Sequence, residues 1–356
     1  MEGILPYIPS NIVAACQNFY GRFKEGQKYR KFMRAFVTGG TGFIGSHLVD
    51  HLLQNPEVES VNCLIRSNEK WLAGKNISRV KGDLHDIEAL KKGMENSDVV
   101  FHLAARTSAP DRDAFHAANV DATENIVRTA QKAGIRKLII LSSLASTGPS
   151  FGRPVTEEDP LMPVSMYGES KKKMEEMVHR IADPALSVSI LKPPAVYGPR
   201  EEQIYQVFKS ASRGLFPIIG DGKSVRLSLI HVRDVVSGIM LAFKQCKPGV
   251  HTYFISSEEL YTWEQIKEVI TRQLGRKSFS LKLSPKLVKR AAGVIEGASS
   301  VFGHYPVINR DKANELVMEW TCAVEKAQRE LHYAQQVTLE EGVSETIAWY
   351  KRHKWL

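Results

Sequence analysis

Between residues 34 and 191 short apolar runs alternate with longer stretches of helical period. This alternation constrains the fold most, because neighbouring parallel strands need a long, usually helical, crossover between them, and the alternation supplies one after each strand. The spacing predicts strands at 34–38, 60–65, 79–81, 98–103, 137–141 and 186–191, with helices such as 44–53, 115–132 and 166–181 between them. Helices then cover both faces of one doubly wound parallel sheet. After Leu191 the alternation weakens: Pro193, Pro194 and Pro199 cluster and Gly220-Asp221-Gly222 reads as a tight turn. A smaller C-terminal lobe is therefore expected over 193–356, with about 230–256 returning to the sheet.

Residues 1–32 precede the first strand and carry five cations against two acids. They read either as an extension from an early start codon or as a basic arm for a membrane surface or partner. The whole chain has a formal net charge of +9, which favours anionic ligands or surfaces without naming one. Its Lys and Arg residues are scattered without a recognition motif, so nucleic acid is not expected as a partner. Cys16, Cys63, Cys246 and Cys322 are far apart and show no metal-ligand spacing. That usage suits a reducing, cytoplasmic setting, with no metal site. No apolar run approaches the ~18 residues that would cross a bilayer.

Thr38-Gly39-Gly40-Thr41-Gly42-Phe43-Ile44-Gly45 follows the first strand and opens a helix. Gly39, Gly42 and Gly45 sit where a tight turn, close backbone approach to a pyrophosphate and helix–sheet packing each need a missing side chain. The helix N-terminus adds partial positive charge. This places a Rossmann-type dinucleotide-binding domain at 33–192. At the end of the second strand the chain reads Ile65-Arg66-Ser67. An NAD domain usually offers a carboxylate there, whereas Arg66 would pair with a 2′-phosphate, which favours NADP(H). The other possibility is a solvated Arg66 with Glu69 reaching back to the ribose of NAD.

Tyr167 and Lys171 lie four apart in a predicted helix, on one face. An ammonium beside a phenol is expected to stabilise the phenolate and make Tyr167 a proton donor and acceptor near neutrality. A Tyr and a Lys so spaced are otherwise an exposed stripe, but Ser142 and Ser143 end the preceding strand, where hydroxyls would face the cofactor crevice.

With these residues in place the chain resembles the extended short-chain dehydrogenase/reductase family. The resemblance covers the TGxxGxxG cradle, Asp83-Leu84 after the third strand, and His102-Leu103-Ala104-Ala105 on the fourth. It extends to Asn119, Thr123 and Asn125, then Tyr167 and Lys171, and at the C-terminal end Trp320 to Tyr350. It implies Ser143, Tyr167 and Lys171 as catalytic residues, with Ser142 the neighbour that could be confused with Ser143. It also implies cofactor contacts from Gly39, Thr41, Gly42, Phe43, Ile44, Gly45, Asp83, Leu84, Ala104, Ala105, Asn119, Tyr167, Lys171 and Pro193, beside Arg66. Homodimers of such proteins often form through two long helices, here 115–132 and 166–181.

Within that family Leu144 and Ala145 stand where dehydratases place an acid–base pair, and Ala195 stands where epimerases place an Asn. Arg226 is a possible counterpart of a diphosphate-binding arginine, but its spacing to His231 is one residue long. Pro193-Pro194-Ala195-Val196-Tyr197-Gly198-Pro199 looks nearest the dihydroflavonol-reductase and 3β-hydroxysteroid-dehydrogenase branch. That implies hydride transfer to or from an apolar keto or hydroxy substrate, with Ala195, Val196 and Tyr197 near it; for Tyr197 plain packing is equally expected. A nucleotide-sugar 4-epimerase with tightly bound NAD and a non-catalytic dinucleotide sensor are the alternatives. Ser284-Pro285-Lys286 starts an amphipathic helix with an apolar face over 287–302. Such a helix is either core-facing or a lid over the substrate that rests on a membrane surface.

Overall fold

The computed structural model describes residues 32–284 and 314–356, with Lys286, Val288 and Arg290 between them. The N-terminal extension and the apolar face expected after Ser284 lie outside the described residues.

Seven strands make one fully parallel sheet. In chain order they are β1 (Met33–Thr38), β2 (Val58–Ile65), β3 (Ser78–Lys81), β4 (Val99–His102), β5 (Lys137–Leu141), β6 (Ser187–Lys192) and a later strand, Gly249–Phe254. Across the sheet they run β3-β2-β1-β4-β5-β6 and then 249–254, so the order reverses between β1 and β4. The central strands β1, β4, β5 and β6 are buried on both faces, whereas β3 at the edge exposes Ser78, Arg79 and Lys81. In β1, Ala35 and Val37 enter one apolar layer and Phe36 the other, as a parallel sheet covered by helices requires.

Helices α1 (Phe43–Gln54), α2 (Ile87–Met94), α3 (Arg112–His116), α4 (Ala122–Lys132) and α5 (Met166–Ile181) supply the crossovers. The single helix expected over 115–132 is interrupted: residues 117–121 form a π turn between α3 and α4. α2 can lie close to the sheet because a Cβ on Gly93 would meet the Phe36 ring at 2.2 Å.

The C-terminal half is divided between the sheet and a lobe. β7 (Ala195–Tyr197) pairs in parallel with β9 (Arg226–His231), and β11 (Leu260–Thr262) pairs antiparallel with β9. β8 (Leu215–Ile219) pairs with β12 (Phe279–Leu283); β10 is the strand at Gly249–Phe254 already placed in the large sheet. The helices here are α6 (Tyr205–Ser212), α7 (Val232–Gln245), α8 (Trp263–Leu274), α9 (Glu325–Leu331) and α10 (Leu339–Arg352). α7 shares an apolar layer with α1 through Val235, Val236 and Ile239 against the layer that holds Leu48, Val49 and Leu52. Phe208, Phe216, Ile266, Val343, Ile347 and Tyr350 form the separate core of the lobe. Ile230 and His231 end β9 of the small sheet, so within 230–256 it is residues 249–254 that pair with β6.

Candidate active site

The three cradle glycines meet three different demands. Gly39 has φ +75°, and a Cβ there would sit 2.5 Å from the Ala104 nitrogen, so the turn after β1 presses on the end of β4. A Cβ on Gly45 would lie 2.1 Å from the Gly39 oxygen, which fixes α1 against the turn. Gly42 is exposed, has φ −82°, and would bring its Cβ no nearer than 3.2 Å to the Gly39 oxygen. It is the N-cap of α1, with no side-chain cap and no acid in the first turn. The free N–H groups of that turn thus meet a surface kept clear of side chains, and the cradle fits a diphosphate. Thr41, Phe43 and Ile44 line its half-buried rim.

At the end of β2 Arg66 is exposed and forms no ion pair among the described residues, whereas Glu69 is ion-paired with Arg79 at 2.7 Å. Asp83 caps its own turn by accepting from the His85 N–H, and Leu84 is half-buried beside it.

Tyr167 enters from the first turn of α5, whose N-cap Ser165 accepts the Gly168 N–H at 3.1 Å. Gly168 is what lets this helix end approach β5: a Cβ there would be 2.4 Å from the Ala145 oxygen. The short turn Leu144–Ser146 after β5 is capped by Ser143, whose Oγ accepts the Ala145 N–H at 3.2 Å. The Ser143 hydroxyl is hydrogen-bonded to Tyr167. Ser142 turns the other way and donates to the Glu175 carboxylate. The two serines, open alternatives in the sequence, are thus separated by what each faces.

Lys171 is buried and donates from Nζ to the Leu141 carbonyl at 2.9 Å. Its ammonium is disfavoured by burial, which lowers its pKa to about 8 despite the Glu175 carboxylate. Burial also pushes the Tyr167 phenol up to about 12, against a downward pull from Ser143. The phenol pKa thus moves up, opposite to the shift expected from Lys171. The physical reason is that the ammonium is anchored on a backbone carbonyl and both groups lose hydration.

The Asn119, Thr123 and Asn125 pattern proves to be a set of clamps on strand ends. Asn119, buried in the π turn, accepts from the Arg106 N–H at 2.8 Å and donates to the Arg106 carbonyl and the Ser170 hydroxyl. Both of its amide hydrogens are thereby spent, so its side chain positions the loop after Ala104 and Ala105 against α5. Asn125 donates to the Leu84 carbonyl at 3.1 Å. Thr123 donates to the Asn119 carbonyl at 2.7 Å and must accept from His102 Nε2 at 2.9 Å. His102 Nδ1 then accepts from Thr38 at 2.7 Å. Burial first, and then Lys171, lower the His102 pKa to about 3, so the imidazole is neutral.

On the substrate side the Pro193 carbonyl receives the Leu144 N–H at 2.9 Å, and Ala195 is exposed with Val196 half-buried. Leu144 is buried in a cluster with Val155, Phe254 and Cys322. Tyr197, one of the residues expected near the substrate, is a packing residue instead: it is buried in the lobe core, against the His231 ring and Gly342. Arg226, the possible diphosphate arginine, is ion-paired with Glu319 at 3.2 Å. Among the described residues no group of His, Cys, Asp and Glu is arranged to hold a metal ion, and no helix is long and apolar enough to cross a membrane.

Comparison with known proteins agrees with this geometry. Residues 35–256 match the NAD dependent epimerase/dehydratase family. A ceramide reductase from Caulobacter vibrioides is 28% identical over 324 residues, covering 90% of this chain and 95% of the relative. A 3-beta-hydroxysteroid dehydrogenase from Mycolicibacterium neoaurum is 24% identical over 338 residues, covering 89% and 91%. Among solved structures, a dTDP-glucose 4,6-dehydratase from Streptomyces venezuelae with NAD bound superposes with a TM-score of 0.74 at 25% identity, covering 91% of this chain and 98% of that one.

Proposed function

Because the chain belongs to the NAD-dependent epimerase/dehydratase family, as an NAD(P)-dependent oxidoreductase of its extended short-chain dehydrogenase/reductase branch, we propose that it reduces an apolar ketone, or oxidises the matching alcohol, with NADP(H). The Ser143–Tyr167 hydroxyl pair at the carboxyl ends of the strands is the observation that carries this. The dinucleotide's diphosphate would rest on Gly39, Gly42 and Gly45, with Arg66 at the adenosine ribose and Lys171 toward the nicotinamide ribose. When bound, its nicotinamide supplies or receives the hydride.

In the reductive direction the Tyr167 O–H donates its proton to the carbonyl oxygen as negative charge develops there. Ser143 holds the same oxygen by a hydrogen bond. A phenol whose pKa is held high by burial is a ready proton carrier but is little ionised near neutrality, so oxidation needs positive charge beside it. Lys171 is the buried cation within its own helical turn. Leu144 and Ala145 offer no acid or base for eliminating water, and Arg226 is already neutralised by Glu319. Both features disfavour a sugar-nucleotide substrate. The similarity to a ceramide reductase and to a hydroxysteroid dehydrogenase supports a lipid-like or steroid-like ketone. The preference for NADP(H) rests on Arg66, which forms no ion pair among the described residues, beside Glu69, which is paired with Arg79.

A panel of steroid, 3-oxoacyl and long-chain ketones, assayed with NADPH and NADH at 340 nm, tests this. Turnover is expected with NADPH, abolished by Tyr167→Phe with NADPH binding retained, and Arg66→Ala should narrow the preference between the two cofactors. Turnover that survives Tyr167→Phe, or protein that purifies with tightly bound NAD and epimerises UDP-glucose without net absorbance change, would overturn it.

A further inference from the structure

One buried charged cluster is left unused by this chemistry. Glu175 lies one helical turn beyond Lys171 and two beyond Tyr167 on α5, almost wholly buried. Its Oε2 receives Lys192 Nζ, from the last residue of β6, at 3.0 Å, and Lys192 is as deeply buried. Its Oε1 receives two hydroxyls from the turn after β5: Ser142, and Ser146 at 2.6 Å. The Ser143 carbonyl lies 2.8 Å from the same Ser146 Oγ and shares its single proton with the carboxylate. One carboxylate thus ties the helix that carries Tyr167 and Lys171 to the turn that carries Ser143 and to the strand end that leads into Pro193.

A buried ion pair is weak evidence for stability, since an apolar pair of similar volume often serves as well. What an apolar pair cannot do is accept two hydroxyls from one turn. We propose that Glu175, with Lys192, Ser142 and Ser146, is a positioning cluster that sets Ser143 against Tyr167. It is a determinant of turnover that touches neither substrate nor cofactor. This rests on the reductase function proposed above.

Three variants separate the roles. Ser142→Ala/Ser146→Ala frees the turn and leaves the ion pair. Glu175→Ala/Lys192→Met and Glu175→Gln/Lys192→Met both remove the two charges together, so neither is stranded, and they differ in whether an acceptor remains for the serines. With the ketone that the wild type reduces fastest, the serine variant and the Ala/Met variant are expected to lose at least tenfold in kcat. Their NADPH Kd should stay within threefold, because the cradle lies on β1 and α1. The Gln/Met variant should recover most of the loss.

The proposal fails if the Ala/Met and Gln/Met variants have the same kcat, if the serine variant stays within twofold of wild type, or if NADPH affinity falls in step with kcat. Tyr167→Phe measured alongside keeps the two levels apart. An inactive Tyr167→Phe with a fully active serine variant sinks the cluster alone. An active Tyr167→Phe, or no turnover of any ketone, sinks the function on which it rests.

Discussion

Replacing Gly45 by Ala tests the steric account of the cradle. The new Cβ would stand 2.1 Å from the Gly39 oxygen, 2.7 Å from its carbonyl carbon and 2.9 Å from the Gly40 Cα. A carbon–oxygen contact needs about 3.3 Å, so α1 and the turn must separate by about 1 Å. All three obstacles are backbone atoms that no side-chain rotation can move. Overpacking of this kind costs about 1–3 kcal/mol, and the immobile partners place it at the upper end. Alanine in a helix returns about 1 kcal/mol. The net loss is about 2 kcal/mol, roughly 30-fold in the unfolding equilibrium. Gly42→Ala should cost about 1 kcal/mol or less, as an N-cap change without a severe clash, while its methyl group blocks the approach to the helix end. Urea unfolding without cofactor, followed by circular dichroism, should show the larger loss for Gly45→Ala. NADPH titration of the folded proteins should show at least tenfold weaker binding for Gly42→Ala. A Gly45→Ala protein within 0.5 kcal/mol of wild type would refute the claim that this glycine is required by close approach.

Two further outcomes follow from buried titratable groups. Lys171 has its pKa lowered to about 8 in the fold from about 10.4 in the unfolded chain, so the folded state carries the full cost of a buried ammonium at and below pH 8, and sheds it as pH rises. Lys171→Met should therefore stabilise the cofactor-free protein most at pH 7, and that gain should shrink between pH 8 and 10; a gain independent of pH would count against the assignment. For His102, nitrogen-detected NMR should show a neutral ring protonated on Nε2 throughout pH 5–8, since Thr123 has only an acceptor to offer it; a midpoint inside that range would contradict the hydrogen-bond chain.

The parts legible in the sequence were those set by local chemistry. Glycines at 39, 42 and 45 between a strand and a helix carry their reason in their spacing, and Tyr167 and Lys171 four apart in the helix at 166–181 carry theirs in a shared face. The parts that escaped depend on contacts across the chain. Nothing local distinguishes Ser142 from Ser143; Glu175 on α5 does, by claiming one hydroxyl. A signal for Glu175 did exist, since Tyr167, Lys171 and Glu175 recur at one helical turn on a face that also carries Met174 and Val178, an unusual place for a charge unless it is paired. Lys192 gave no such signal at the end of an apolar strand. The pKa of Tyr167 was expected to move the wrong way because desolvation is a property of the assembled crevice. Tyr197 sits in a motif that reads as functional, yet its ring is claimed by the lobe, which only the packing of α10 with its Gly342 reveals.

The seventh strand of the large sheet is made from residues 249–254, more than fifty residues after its neighbour β6. During synthesis the first six strands emerge with β6 still lacking its outer partner, its row of amides and carbonyls open to pairing with another chain. A fragment cut after Lys192 would keep the entire glycine cradle and still lack both that strand and the α7 surface that covers the layer beside α1. The nucleotide half of this protein thus draws its outer strand and one covering helix from a stretch of chain translated only after the lobe has begun.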